Sequence, residues 1–182
     1  MNQLERAPFF EPPAGFDEPL EMLLGCHRRI EKQLQTLKRL RAHLQSHGVD
    51  PEASIAARNV LRYFESAAAN HHADEEQDLF PMLEERIGDE GERARFDELR
   101  ARLLEDHRRL EAAWQRLRKP LEGIAEGLTR ALTEEEVAAF VEAYRGHIAM
   151  EEPAVSGWVE RWLDEADRMK LGRAMAARRG LP

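Results

Sequence analysis

Apolar residues recur every three or four positions along most of the chain, and no stretch sustains alternation at every second position. The first series is Leu20, Leu23, His27, Ile30, Leu34 and Leu37, with Leu44 further on, and it predicts an amphipathic helix. Asp17 is placed to cap it, Pro19 is tolerated in its first turn, and Gly48 ends it. A second helix is expected from about Ala53 to Ile87, with Asp50 as cap and Pro51 at its first position. Its inward face includes Phe64, His71, Glu75, Leu79 and Met82, and Pro81 should kink it. Residues 88–92, "GDEGE", read as a break. The third series, Phe96, Leu99, Leu103, His107, Leu110, Trp114 and Leu117, should stop near Pro120, leaving 121–132 as a connector with room for some helix. "TEEE" at 133–136 reads as a capping box, opening a helix that presents Val137, Phe140, Tyr144, His147, Glu151 and Val155 and bends at Pro153. A shorter helix should follow from Asp164, before a basic tail.

Four long amphipathic helices with short links predict an all-α fold, an up-down four-helix bundle. The expected division is an extended arm at 1–16, the bundle at 17–162, and a short helix and tail at 163–182. The arm carries three prolines and Phe9, Phe10 and Phe16, which are expected to cover one end of the domain.

The bundle repeats itself. "HRRIEKQLQTL" (27–37) aligns with "HRRLEAAWQRL" (107–117), and "HHADEE" (71–76) aligns with "HIAMEE" (147–152). Phe64 and Phe140 each lie seven residues before the histidine of these pairs. The domain therefore reads as two helical hairpins related by an approximate two-fold. His72 aligns with Ile148, so His71 and Glu75, not His72 and Glu76, are the pair with a counterpart.

Composition narrows the chemistry. The 182 residues carry 27 Lys and Arg against 35 Asp and Glu, a net charge of −8, with the basic residues interleaved among acids. That argues against nucleic acid as a partner. Cys26 is the single cysteine, so neither an internal disulfide nor a cysteine-based zinc site is expected. The N-terminal segment lacks the pattern of a secretory signal, and no uncharged apolar run approaches the ~18 residues of a membrane span. A cytoplasmic protein with no membrane partner is expected.

All four long helices then place a histidine on the apolar face, and two add a glutamate one turn later. Buried carboxylates are unfavourable unless positive charge compensates them, and metal ions supply it. Imidazole with carboxylate suits iron, manganese or zinc. Two hairpins, each giving one terminal histidine and one His-x-x-x-Glu, predict two metals held by His27, His71, Glu75, His107, His147 and Glu151, the glutamates lying between them. The ferritin-type alternative needs Glu-x-x-His. The residues three before the histidines are Leu24, Leu40, Leu44, Ala68, Ala69, Leu104 and Tyr144, so that motif is missing.

The order His27, His71-x-x-x-Glu75, His107, His147-x-x-x-Glu151 resembles the hemerythrin-like HHE domain over roughly residues 20–160, and "HHADEEQDLFPML" looks especially like that family's second helix. The resemblance implies a bundle holding a non-haem di-iron centre, with those six residues as ligands and Glu75 and Glu151 bridging. It implies a small ligand at the metals: O2, NO or peroxide. Oxygen-carrying hemerythrins use a more asymmetric set with five histidines. Iron-sulfur repair relatives add a cysteine-bearing N-terminal segment, and the arm here has no cysteine. The preferred expectation is a module that binds or senses O2, NO or iron. The alternative is a di-iron enzyme that acts on peroxide or oxidises Fe(II). Glu76 and Glu152 are expected around the site or at the surface, Glu31 and Glu111 at the surface, Cys26 as a packed residue, and His43 and His47 at the surface.

Overall fold

The computed structural model describes residues 15–128 and 131–181, and among these it is all helical. Helix α1 spans Pro19–His47 and closes on Gly48, whose φ of 75° lies in the left-handed region that glycine enters without strain. Its N-terminus differs from expectation. Asp17 sits in a turn in which the Glu18 N–H is bound by the Gly15 carbonyl, so Glu18 occupies the cap position and caps with no side-chain hydrogen bond.

Helix α2 runs over 51–86 as one rod, started by Asp50, whose carboxylate accepts from the Ala53 N–H at 2.8 Å. It is not uniformly α-helical. Turns of π-helix at Phe64–Ala68 and Glu75–Leu79 interrupt α-helical segments at Pro51–Tyr63, Ala69–Asp74 and Phe80–Arg86. Pro81 falls immediately after the second π turn, where the Phe80 N–H bonds five residues back to the Glu75 carbonyl. A widened turn thus precedes the proline where a kink is expected, although the first π turn has no proline near it.

Helix α3 is longer than its pattern predicts, Glu90–Ala125. Asp89 accepts from the Glu92 N–H at 2.8 Å, so the helix begins inside the expected break. It also passes through Pro120. The ring costs one backbone hydrogen bond, but the turn beyond it buries Leu121 and Ile124 completely, and that burial outweighs the loss. Helix α4, Glu134–Trp162, starts at the expected Thr133, which accepts from the Glu136 N–H, and continues through Pro153. Helix α5, Glu165–Arg178, starts at Asp164.

Helices α1 and α3 each lie between α2 and α4, the arrangement of an up-down bundle, and α5 packs across α1 and the middle of α2. The apolar interior is divided in two. One cluster includes Ile30, Leu34, Phe64, Trp114, Leu117 and Phe140. The other includes Leu23, Phe80, Leu83, Phe96, Leu103 and Trp158. Between these residues in sequence, on all four bundle helices, lie the buried His27, His71, Glu75, His107, His147 and Glu151. Phe16 packs against the second cluster, whereas Phe9 and Phe10 lie outside the described residues. The Phe16 carbonyl rests so close to Gly172 that a Cβ there would meet it at 1.7 Å, so only glycine fits. No helix among the described residues is long and apolar enough to cross a membrane.

Candidate metal centre

The polar layer is built by helical spacing. On α2, His71 Nε2 stands 3.1 Å from Glu75 Oε1, and on α4 His147 Nε2 stands 2.9 Å from Glu151 Oε2, each pair one turn apart. The other oxygen of each glutamate faces across the bundle. Glu151 Oε1 lies 3.6 Å from His27 Nε2 on α1, and Glu75 Oε2 lies 3.4 Å from His107 Nε2 on α3. Each carboxylate thus presents one oxygen to a histidine of its own helix and the other to a histidine of the opposite hairpin.

Two groups of potential ligands follow. In one, atoms of His27, His71, Glu75 and Glu151 lie within 4.8 Å of one another; in the other, atoms of Glu75, His107, His147 and Glu151 do. The glutamates belong to both. Within each group the imidazoles meet edge to face, His27 on His71 at 4.6 Å and His107 on His147 at 4.8 Å between ring centres. These six residues are those singled out from the sequence, and the fold brings all six together.

The outer nitrogens show which tautomer two of the rings adopt. His27 Nδ1 donates to Glu152 Oε1 at 3.0 Å, and His107 Nδ1 donates to Glu76 Oε1 at 2.6 Å. Each contact crosses from one hairpin to the other. A proton held on Nδ1 leaves the Nε2 lone pair pointing inward, the arrangement that carboxylate partners impose on ligating histidines. Glu76 and Glu152, each with a half-exposed side chain, are therefore the orienting neighbours of the layer.

The electrostatics of the layer are unfavourable without a cation. Burial pushes His71 well below its ordinary range, helped by the surrounding imidazoles, and pulls His107 down to about 3. Burial raises Glu75 well above the usual carboxylate range, reinforced by the Glu151 charge. Burial alone would raise Glu151 too, but His147 and His27 hold it low. The Nε2 atoms of His27, His71, His107 and His147 are all buried without a hydrogen-bond partner, as are both oxygens of Glu75. Their short N···O approaches lack hydrogen-bond geometry, so these groups are brought together without satisfying one another. Buried polar groups are normally satisfied, and this many convergent acceptors fit a metal ion.

Other residues fall into place around this layer. Glu31 pairs with Arg145 at 2.6 Å, and Glu111 accepts from Gln115, both away from the inward face. Cys26 is buried, accepts from Arg29 at 2.9 Å, and burial raises its thiol. His43 bonds Asp50 and stacks on His47 at the far end of α1.

Two further residues belong to this interior. Asp74, fully buried three residues after His71, is held by Arg178 at 2.9 Å and Arg179 at 2.7 Å from the end of α5. The only sequence signal was a charged residue on an inward stripe. His72 also turns inward, with His107 and His147 as its neighbours. The doubled histidine was the signal for it.

Comparison with known proteins agrees with this geometry. Residues 18–159 match the hemerythrin HHE cation binding domain. An uncharacterized protein of Haemophilus influenzae is 31% identical over 167 residues, covering 91% of this chain and 92% of its own length. With four histidines and two glutamates converging between the cores of a four-helix bundle, the chain belongs to the hemerythrin HHE cation-binding family.

Proposed function

We propose that the chain holds two iron ions, one between His27 and His71 and the other between His107 and His147, with Glu75 and Glu151 bridging, and that it binds or senses O2, NO or iron there. The observation that carries this reading is the division of each buried glutamate between the two histidine pairs. A single-metal site would need only one of the two groups. The donor set of two imidazoles and shared carboxylates on each side suits iron, with manganese or zinc as chemically related occupants. When bound, a pair of ferrous ions supplies the electrons and open coordination positions that chemistry with such ligands requires. The protein's own contribution is to orient His27 and His107 through Glu152 and Glu76 and to bury the centre between two apolar clusters.

Elemental analysis of untagged protein purified without chelator tests the reading. Near two irons per chain is expected, falling together on Glu75→Ala or Glu151→Ala. One metal per chain, or none after anaerobic reconstitution with Fe(II), refutes the dinuclear assignment.

A further inference from the structure

We infer that His72 is a hydrogen-bond donor to a small anionic or diatomic ligand entering beside His107 and His147, so that the two sides of the centre bind such a ligand unequally. The inference rests on the dinuclear reading above and adds a residue outside its six ligands.

His72 Nε2 is buried and has no partner. A ring nitrogen of His72 lies within 4.8 Å of a nitrogen of both His107 and His147. The obvious role would be a third imidazole ligand, but the ring orientation opposes it. His72 lies flat on His107, with ring centres 4.0 Å apart and planes only 11° from parallel. An imidazole directs its lone pair within its own plane. The lone pairs of two rings stacked face to face lie in near-parallel planes and do not converge on one point. Tyr144 lies 22° from parallel to His72, with ring centres 6.0 Å apart. What remains available to the buried nitrogen is a hydrogen bond, because neutral imidazole carries one N–H and either nitrogen can bear it.

A cleft of about 20 Å³, lined by His72, Ala69, Glu111 and Tyr144 among others but by none of the six site residues, adjoins the ring. That is room for about one water-sized molecule. The pseudo-symmetric position is Ile148, which has no donor. It lines an open groove with His27, Arg28, Glu31 and Arg145. On that side Arg145 is engaged by Glu31 and Glu142 and Arg28 is exposed, so the buried nitrogen free to donate to a ligand that gains negative charge is on the His72 side.

Azide is the probe, titrated into the diferric full-length protein and followed by its charge-transfer absorption, with iron per chain measured on the same samples. His72→Phe keeps a flat ring on His107 and removes the donor; His72→Gln restores an N–H; His72→Ile copies the other hairpin. The expected result is two irons in every variant, with azide affinity lowered roughly 10-fold or more in His72→Phe and His72→Ile but within about 3-fold of the unaltered protein in His72→Gln, as loss of a hydrogen bond to a charged group predicts. Affinity unchanged in His72→Phe, or no azide binding by the unaltered protein, overturns the proposal. So does loss of one iron in the variants, which would make His72 a ligand. Fewer than two irons in the unaltered protein removes the dinuclear reading itself, a failure seen before any azide is added. Should neither His72→Phe nor His72→Ile fold, an azide infrared band in the unaltered protein that does not shift in D2O overturns the proposal equally.

Discussion

The α1–α2 and α3–α4 hairpins carry matching residues at the polar layer and diverge one step outside it. His27 and His107, His71 and His147, and Glu75 and Glu151 correspond, and so do the orienting pair Glu76 and Glu152. Next to them, α2 has His72, Asp74 and Ala68 where α4 has Ile148, Met150 and Tyr144. α2 is widened by two π turns, whereas α4 is α-helical throughout. The α5 helix fastens onto Asp74 of the first hairpin, and nothing equivalent engages Met150. The inner residues are constrained as pairs, because each glutamate must serve a histidine of both hairpins. The neighbouring residues serve only one side, so they are free to take on access, anchoring and ligand contacts.

The comparison breaks most visibly at the shared glutamates. Glu75→Ala and Glu151→Ala should each weaken metal binding more than about 100-fold, beyond the ~10–100-fold that loss of an outer hydrogen-bond partner gives. Both variants should empty both halves of the centre, as read by iron per chain. If Glu75→Ala empties one half and leaves the other loaded, the carboxylates are not shared. Chelating the metal from the unaltered protein should lower the melting temperature, because a ligand that binds only the folded state stabilises it.

A nearly comparable effect is expected where the hairpins differ most. The Asp74 carboxylate is fully buried, and among the described residues its compensating charges come from Arg178 and Arg179. Removing both, Arg178→Ala with Arg179→Ala, should destabilise the protein by about 3 kcal/mol, the lower end for a broken buried pair, since both arginines are partly solvated. Denaturant unfolding reads it. Adding Asp74→Met, the residue type of α4, should recover most of that loss; no recovery would mean the arginines act through contacts other than the buried charge.

Glu76 and Glu152 test the correspondence at the next level. Each orients the first-helix histidine of the opposite hairpin, so Glu76→Ala and Glu152→Ala should weaken metal binding by similar factors, roughly 10-fold. A large difference between them would show that the two sides use their outer partners unequally.

Acid sensitivity of the metal-free protein follows with a definite sign. His107 titrates near 3 when folded, against 6.5 ordinarily, and burial moves His71 and His72 in the same direction. Between those values the unfolded chain binds more protons, so stability rises with pH and is lost as pH falls from 6.5 toward 3. Glu75, raised by burial, works oppositely, subtracting stability as pH climbs above the ordinary carboxylate range. The melting temperature of metal-free protein should therefore begin to fall near pH 6.5. A profile flat down to pH 4.5 would indicate that the imidazoles are solvated without metal.

Much of this was legible in the chain itself because the 3-4 spacing and the repeat report local geometry. Positions i and i+4 share a helix face whatever surrounds them, so His71 with Glu75 and His147 with Glu151 could be paired before any fold was known. What escaped depends on tertiary terms. Pro120 stays helical because Leu121 and Ile124 are buried against the bundle, and residue type alone does not carry that information. The π turns depend on how the widened segments pack, Asp17 lost the cap to a turn closed by Gly15, and Asp74 is explained only by arginines about a hundred residues away.

The smallest expected effect concerns the remaining matched pair, Glu31 and Glu111, each four residues after a site histidine. Spacing alone puts them in the same relation to His27 and His107 as Glu75 has to His71. Their surroundings differ from that analogy: Glu31 meets the Arg145 guanidinium, which lowers its carboxyl, and Glu111 accepts from Gln115. Both contacts are at least partly solvated, so Glu31→Ala should cost less than ~1 kcal/mol and Glu111→Ala less still. Neither should change iron per chain. A loss of metal in either variant would mean that loading draws these side chains inward, extending the duplicated set from three residues per hairpin to four.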